Sequence, residues 1–147
     1  MKPVLDVFDR QILEALRANA RLSNLELAEI VPLSHSAISR RIRQMEATGI
    51  IRGYATRLDA TAMGEGMRAF AAVQRQAHVP AIDVARALEA IPGVVGCWIV
   101  SGDSDIMIEI AARDMADFSA TMLGQIQVVP GVAGTRTSFI LNAVKER

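Results

Sequence analysis

The chain has 147 residues, 51% of them hydrophobic but only 4% aromatic, and its formal net charge is zero. This length accommodates one domain or two small ones, and the apolar content is enough for a packed core, which argues against a disordered chain. No apolar run approaches the roughly 20 residues that span a bilayer, and residues 1–6 lack the apolar stretch of a signal peptide. Cys97 has no second cysteine to pair with, which fits a reducing compartment. We therefore expect a cytoplasmic protein without a membrane partner.

The charges are unevenly distributed along the chain. Residues 1–59 hold nine Lys and Arg against seven Asp and Glu, whereas residues 60–147 hold seven against nine. Within 34–57, five arginines accompany one acid, Glu46. A local basic cluster is the electrostatic signature of a nucleic-acid contact, although a solvated helix surface produces the same count.

The N-terminal third begins with two predicted helices. Apolar residues at helical spacing indicate a first helix over 8–19. Ser23 and Glu26 have the spacing of a capping box, in which each side chain satisfies a free N–H group of a helix start. They predict a short second helix that ends before Pro32.

A third helix follows after a tight turn. Ser34 can cap its start, Ile38, Ile42 and Met45 form an apolar stripe along it, and Gly49 fits the position just past its end. Two short helices separated by a tight turn, after a longer helix, are typical of a helix-turn-helix.

The side of the third helix opposite the apolar stripe is polar and basic. Hydroxyl groups near its start suit phosphates or base edges, and guanidinium groups further along can bond to guanine. The β-prone stretch 50–59 predicts a short hairpin or wing whose arginines reach phosphates. Arg41 lies nearer the buried flank, where packing is the alternative role. The predicted DNA-contacting residues are Ser34, His35, Ser36, Ser39, Arg40, Arg41, Arg43, Arg52 and Arg57.

The second half of the chain contains a repeat. Small residues over 60–66 predict a linker, which divides a DNA-binding domain over 1–59 from a second domain over 67–147. In the second domain, Ile91-Pro92-Gly93-Val94 is echoed 38 residues later by Val129-Pro130-Gly131-Val132. In each copy a helix, over about 80–91 or 114–128, runs into Pro-Gly and a β-rich run follows. With strands predicted over 67–76 and 105–112, the order is βαββαβ, the ferredoxin-like arrangement of an α+β domain.

Two features of the predicted sheet point to partners. Both helices pack on one side, so the other face stays open, and Met107, Trp98 or its neighbours, and Phe139 or Ile140 give it an apolar character that dimerisation would cover. The segment 101–105 between the middle strands is explained by a hairpin turn. Its two carboxylates, glycine and hydroxyls could also bind the ammonium or amide of a small ligand.

These residues together resemble the leucine-responsive/asparagine-regulator (Lrp/AsnC) family of transcription regulators over nearly the whole chain. The resemblance implies a winged helix-turn-helix joined to an effector domain, and homodimers that assemble further, often into octamers. The matching segments are Asp9–Leu13, Arg21–Ala28, Arg40–Ile42, Gly49–Tyr54, Val100–Asp105, Pro130–Val132 and Thr135–Phe139.

The resemblance also implies an effector site. In that family an amino acid or related metabolite binds in a cleft between dimers, lined by a Gly-Asp-x-Asp turn, here Gly102 to Asp105. A backbone amide and a Ser or Thr hydroxyl would hold the α-carboxylate, and Asp103 or Asp105 would meet the α-ammonium. The predicted effector-binding residues are Ser101, Gly102, Asp103, Ser104, Asp105, Thr135, Thr137 and Ser138.

Catalysis finds little support in the sequence. There is no glycine-rich phosphate-binding motif, and His35 and His78 lie in different predicted domains. We expect no catalytic residue, no metal site and no cofactor. The alternatives to an effector-responsive regulator are an architectural DNA-binding protein of the same fold that ignores ligands and an amino-acid-sensing subunit of a metabolic enzyme.

Overall fold

The computed structural model describes residues 4–144. They form two compact units, one on each side of the Arg57–Leu58 bond. Residues 60–66, predicted to be a linker, are part of the second unit, where residues 60–64 form turns before the first strand. No helix in the range 4–144 is long and apolar enough to cross a membrane.

The first unit contains the three predicted helices, α1 (Val7–Ala18), α2 (Asn24–Ile30) and α3 (His35–Ala47). The predicted capping box is formed: the Glu26 backbone N–H donates to Ser23 Oγ at 3.2 Å, and the Ser23 N–H donates to Glu26 Oε2 at 2.7 Å. Each cap satisfies N–H groups that have no partner inside the helix, so the boundaries follow from local sequence.

The three helices surround a small apolar core. Residues 31–34 turn the chain between α2 and α3, so that the pair forms the helix-turn-helix predicted from the sequence. The buried side chains come from every helix and from the turn, and they fix α3 by one face only. They are Ile12, Leu16, Leu27, Val31, Ile38 and Met45.

The prediction of a β-hairpin over 50–59 is wrong. Residues 52–59 belong to no helix or strand. A segment becomes a β-strand only when a neighbouring strand accepts and donates its backbone hydrogen bonds. None of the four described strands pairs with this segment. The Tyr54 hydroxyl instead donates to Glu46 Oε1 at 2.9 Å, which ties the segment to α3.

The second unit has the predicted βαββαβ order and a four-stranded sheet with strand order β2-β3-β1-β4. All three strand pairs are antiparallel, as in the ferredoxin-like arrangement. The elements are β1 (Met67–Arg75), α4 (Ala81–Glu89), β2 (Val94–Ile99), β3 (Ile106–Ala112), α5 (Met115–Thr121) with a π-helical turn (Met122–Ile126), and β4 (Val132–Phe139).

One face of the sheet is covered by the helices and the other is open. Ile106, Ile108 and Ile110 are fully buried on the covered face, as the alternation predicted. Cross-strand pairing places Trp98 opposite Met107 on the open face, where Trp98 is 48% exposed. Of the two residues predicted at the end of β4, Phe139 is not on the open face, because it pairs with the buried Ala69 and its ring packs on Phe118 of α5 with 4.9 Å between ring centroids.

The Pro-Gly repeat corresponds to two equivalent turns before β2 and β4. Gly93 and Gly131 have φ values of +92° and +94°, a region that side chains with a Cβ rarely adopt. A Cβ on Gly131 would lie 2.8 Å from Val79 Cγ1 and 2.9 Å from Val84 Cγ2. Glycine is therefore required at 131 for both conformation and space.

Candidate DNA-contacting surface and effector cavity

The solvent side of α3 carries the residues predicted to contact DNA. Ser36, Arg40 and Arg43 are separated by four and three positions, so they lie on the same side of the helix, and all three are exposed. The Arg43 Nε donates to the Ser39 backbone oxygen at 3.4 Å, which directs this side chain along the helix. Ser39 is half-buried at the edge of the same side.

The start of α3 presents three further polar residues. Ser34 Oγ accepts the Ala37 N–H at 3.3 Å and lies 3.1 Å from Ser36 Oγ. His35, the first helical residue, is exposed. The unpaired N–H groups and positive dipole end of a helix attract phosphate oxygens, so this end of α3 suits a backbone contact.

Arg41 occupies a different environment from its neighbours. Its Nη1 lies 2.7 Å from Asp6 Oδ2 and 2.8 Å from Asp9 Oδ1, and its guanidinium carbon is 5.7 Å from the centroid of the Phe8 ring. Hydrogen bonds from the Asp9 N–H and from the Arg41 guanidinium lower the pKa of the Asp6 carboxyl group. In turn, the carboxylates of Asp9 and Asp6 raise the pKa of Arg41. This side chain fastens α3 to the start of α1, so we do not include it in the proposed DNA contact.

Two more predicted residues lie after α3. Arg52 and Arg57 are exposed, in the segment that Tyr54 ties to α3. Because both arginines follow α3 closely in the sequence, they remain predicted phosphate contacts.

A small cavity in the second unit gathers part of the predicted effector site. Its volume is about 160 Å³, and it lies where the β2–β3 turn meets the end of β1 and the start of β4. The Val100 N–H donates to the Asp105 backbone oxygen at 2.9 Å and closes the turn, in which Gly102 has a φ of +122°. The lining residues are Ala72, Gln74, Asp103, Ser104, Gly134, Thr135 and Arg136.

Asp105 is bound within the unit rather than to the cavity. Its Oδ1 lies 3.1 Å from Arg75 Nε, and its Oδ2 accepts the Arg75 backbone N–H at 3.0 Å. Arg75 Nη1 also donates to the backbone oxygens of Ala77 and Val79, each at 2.9 Å. Asp105 therefore fixes the turn, and of the two predicted ammonium partners only Asp103 lines the cavity.

The predicted residues of β4 are divided between the two faces of the sheet. Thr135 is among the residues that line the cavity, but it pairs with the buried Val73 and so shares the covered face, where its Oγ1 accepts a hydrogen bond from Gln127 Nε2 at 3.1 Å. Thr137 pairs with the buried Ala71 and therefore shares the covered face. Ser138 pairs with Phe70 on the open face. Ser101 and Gly102 are exposed in the turn.

Sequence reasoning missed two polar residues that line the cavity, Gln74 of β1 and Arg136 of β4. Both lie on the open face, since Gln74 pairs with Gly134 and Arg136 with Ala72. Arg136 stands between two predicted residues, Thr135 and Thr137, so strand alternation was the signal that could have placed it on the other face. Gln74 becomes visible only once β1 is known to pair with β4.

Metal ligation and the reactivity of the single cysteine can be judged within the described residues. No group of three or more His, Cys, Asp and Glu side chains within 4–144 is placed to hold a metal ion. Burial raises the pKa of Cys97, which favours the less reactive thiol form.

These features define a class of protein: a helix-turn-helix unit with an exposed basic helix, joined to an α+β unit with a small polar cavity. The models of two protein families match the chain, the AsnC-type helix-turn-helix domain over residues 5–46 and the Lrp/AsnC ligand binding domain over residues 68–147. The chain belongs to the Lrp/AsnC family of transcription regulators.

Individual relatives agree with this assignment. The leucine-responsive regulatory protein of Rhizobium meliloti is 34% identical over 97% of this chain and 92% of its own length. The Bkd operon transcriptional regulator of Pseudomonas aeruginosa is 35% identical over 97% and 95%. The structure of a Neisseria meningitidis transcriptional regulator in complex with L-methionine is similar with a TM-score of 0.91 and 34% identity, covering 97% of this chain and 94% of that one.

Proposed function

We propose that this protein regulates transcription by binding specific DNA sites through α3, and that a free amino acid in the cavity of the second unit alters this binding. The observation that carries the proposal is the exposed row of Ser36, Arg40 and Arg43 on the third helix of a helix-turn-helix. The opposite side of α3 is anchored in the core by Ile38 and Met45, so the polar row has no intramolecular role in packing.

The proposed contacts have distinct roles. Ser34, His35 and Ser36, at the positive end of α3, hold phosphates and fix the position of the helix. Arg40 and Arg43 read base edges or phosphates further along the groove, with Ser39 beside them. Arg52 and Arg57 add phosphate contacts that contribute affinity without reading sequence.

Assembly and location complete the proposal. The open face of the sheet packs against a second copy to form a homodimer, which buries the apolar side chains of Phe70, Trp98 and Met107. Such dimers assemble further, to an octamer, and so present several copies of α3 to successive major grooves. The protein works in the cytoplasm, without a membrane partner and without catalysis of its own.

The first test is binding of the full chain to the promoter of its own gene and to unrelated DNA of equal length, across a salt series. Promoter-selective binding that is lost in the Arg40→Ala/Arg43→Ala variant supports sequence-specific regulation. Equal and steeply salt-dependent binding to both DNAs indicates the architectural alternative. Absence of binding to either DNA overturns the proposal.

The effector is tested by thermal unfolding in the presence of each of the twenty amino acids, beginning with L-methionine because the Neisseria relative binds it. A ligand at about 100 times its Kd, bound only to the folded form, adds about 2.7 kcal/mol of stability. An unchanged unfolding midpoint with all twenty overturns the effector part of the proposal and leaves the DNA-binding part intact.

A further inference from the structure

The DNA-contacting side of α3 carries a polar side chain that the proposed contacts leave unassigned. Gln44 follows Arg40 by four positions and is exposed, so the two side chains are neighbours on the same side of the helix. Within residues 4–144 the amide group of Gln44 makes no hydrogen bond. A cavity of about 160 Å³ lies between this side of α3 and Val4 and Leu5, so the amide is also not packed against the start of the first unit.

The backbone that carries Gln44 is held firmly. Thr48 Oγ1 donates to the Gln44 backbone oxygen at 2.8 Å, and the next residue, Met45, is buried in the core. On the same turn of the helix, the Arg41 guanidinium is bound to two carboxylates at the start of the first unit. Because this turn of α3 is fixed, Gln44 presents its amide group to a ligand without a change in the fold.

The spacing along α3 suits a helix that reads bases at its middle. Homeodomains, which also use a three-helix unit, read bases from four positions of the third helix that are separated by three, one and three residues. In that class an amide side chain at the third of these positions bonds adenine. The same spacing occurs here in four exposed residues, Arg40, Arg43, Gln44 and Ala47.

We propose that Gln44 reads an adenine in the major groove of the operator, one or two base pairs from a guanine that Arg40 reads. The inference rests on the proposed function and adds to it a specificity-determining residue and two bases of the operator. An amide presents a donor and an acceptor side by side, which match N7 and the N6 amino group of adenine. A guanidinium presents two donors, which match N7 and O6 of guanine.

The dimensions of the helix and of DNA set the distance between the two bases. Four residues of an α-helix rise about 6 Å, and neighbouring base pairs are about 3.4 Å apart. Arg40 and Gln44 therefore reach base pairs that are one or two steps apart. Arg43 is assigned to the DNA backbone instead, because its Nε donates to the Ser39 backbone oxygen at 3.4 Å and the side chain runs along the helix.

The test selects operators for the full chain from a library of random duplex DNA. Fluorescence anisotropy then gives the affinity for the selected operator and for each of its single-base-pair variants. Gln44→Ala should lose the preference for adenine at one base pair of each half-site by about 5- to 150-fold and keep the other preferences. Gln44→Arg should prefer guanine at that base pair. Alanine favours helix, so Gln44→Ala retains α3.

Two further variants locate the contact. Arg40→Ala should remove a preference for guanine at a different base pair, one or two steps from the one that Gln44 reads. Gln11→Ala removes an exposed glutamine from α1 of the same unit and is the matched control, which should leave every base preference unchanged. Circular dichroism during heating verifies that each variant is folded at the temperature of the binding measurement.

Each outcome bears on a defined claim. An unchanged preference for adenine in both Gln44 variants overturns the assignment and leaves the proposed function standing. Equal weakening toward every DNA also overturns it, since a phosphate contact does not discriminate between bases. Effects of Gln44→Ala and Arg40→Ala at the same base pair overturn the placement of the two side chains. A wild-type chain that selects no sequence overturns the proposed function, and the inference with it.

Discussion

Arg40 and Arg41 are adjacent on α3 but are expected to respond differently to the same substitution. Arg40 is exposed on the proposed DNA-contacting side, whereas the Arg41 guanidinium lies 2.7 Å and 2.8 Å from two carboxylates of the first unit. Arg40→Gln and Arg41→Gln remove the same charge from neighbouring positions, so their long-range effect on DNA attraction is alike. The difference between the variants therefore reports direct contact.

The magnitude follows from counterion release. Each phosphate that is neutralised contributes about −0.9 to the slope of log K against log salt concentration for duplex DNA. If Arg40 neutralises one phosphate, Arg40→Gln makes the slope shallower by about 0.9. Between 50 and 200 mM salt this amounts to roughly a 3.5-fold smaller loss of affinity. If Arg40 instead reads guanine, the variant loses about 1–3 kcal/mol of discrimination at one base pair.

Arg41→Gln should leave that slope unchanged and lower the stability of the first unit. The slope is a safe observable, because a constant loss of folded protein lowers apparent affinity equally at every salt concentration. Fluorescence anisotropy with promoter DNA gives the slopes, and circular dichroism during heating gives the stabilities. A shallower slope for Arg41→Gln together with an unchanged slope and unchanged base discrimination for Arg40→Gln would refute the assignment of the two arginines.

Three further outcomes are expected. Gly131→Ala should lower the free energy of unfolding by about 2–5 kcal/mol, because the left-handed backbone is strained and the new Cβ contacts Val79. The calorimetric unfolding midpoint should fall by roughly 10 °C or more. Gly64→Ala, with φ +78° and no atom within 4 Å of its Cβ, should lower the free energy distinctly less, and equal losses would contradict the steric account. Asp105→Asn should lower the denaturant midpoint of the second unit, whereas Asp103→Asn should not. Hydrogen bonds lower the pKa of Asp6, so its ionised carboxylate stabilises the folded state at neutral pH, and this stabilisation is lost as the pH falls below about 4. Asp6→Asn should therefore flatten this part of the acid unfolding curve.

Local signals in the sequence were sufficient for the helices and for the domain order. The capping box at Ser23 and Glu26 defines a helix start from residues three positions apart, and it forms as predicted. The paired Pro-Gly sequences defined two helix ends and two strand starts because only glycine tolerates the φ of Gly93 and Gly131. Such features depend on neighbours along the chain, which is why a single sequence reveals them.

Features that depend on pairing between distant segments were not predictable in the same way. The hairpin expected at 50–59 failed because β propensity does not supply a partner strand. The ion pair between Arg75 and Asp105 joins residues 30 positions apart, so the two aspartates of one turn look equivalent in the sequence although they differ in the structure. Gln74 was overlooked for the same reason, since its place in the cavity follows from the register of β1 against β4.

The guanidinium of Arg75 joins two separate segments of the second unit. One planar group holds the end of the β2–β3 turn through Asp105 and holds the loop before α4 through the oxygens of Ala77 and Val79. The end of the turn and the loop before α4 thus share one planar group, and α4 begins two residues after Val79. Arg75 therefore connects the rim of the cavity with the start of a helix that packs on the other face of the sheet.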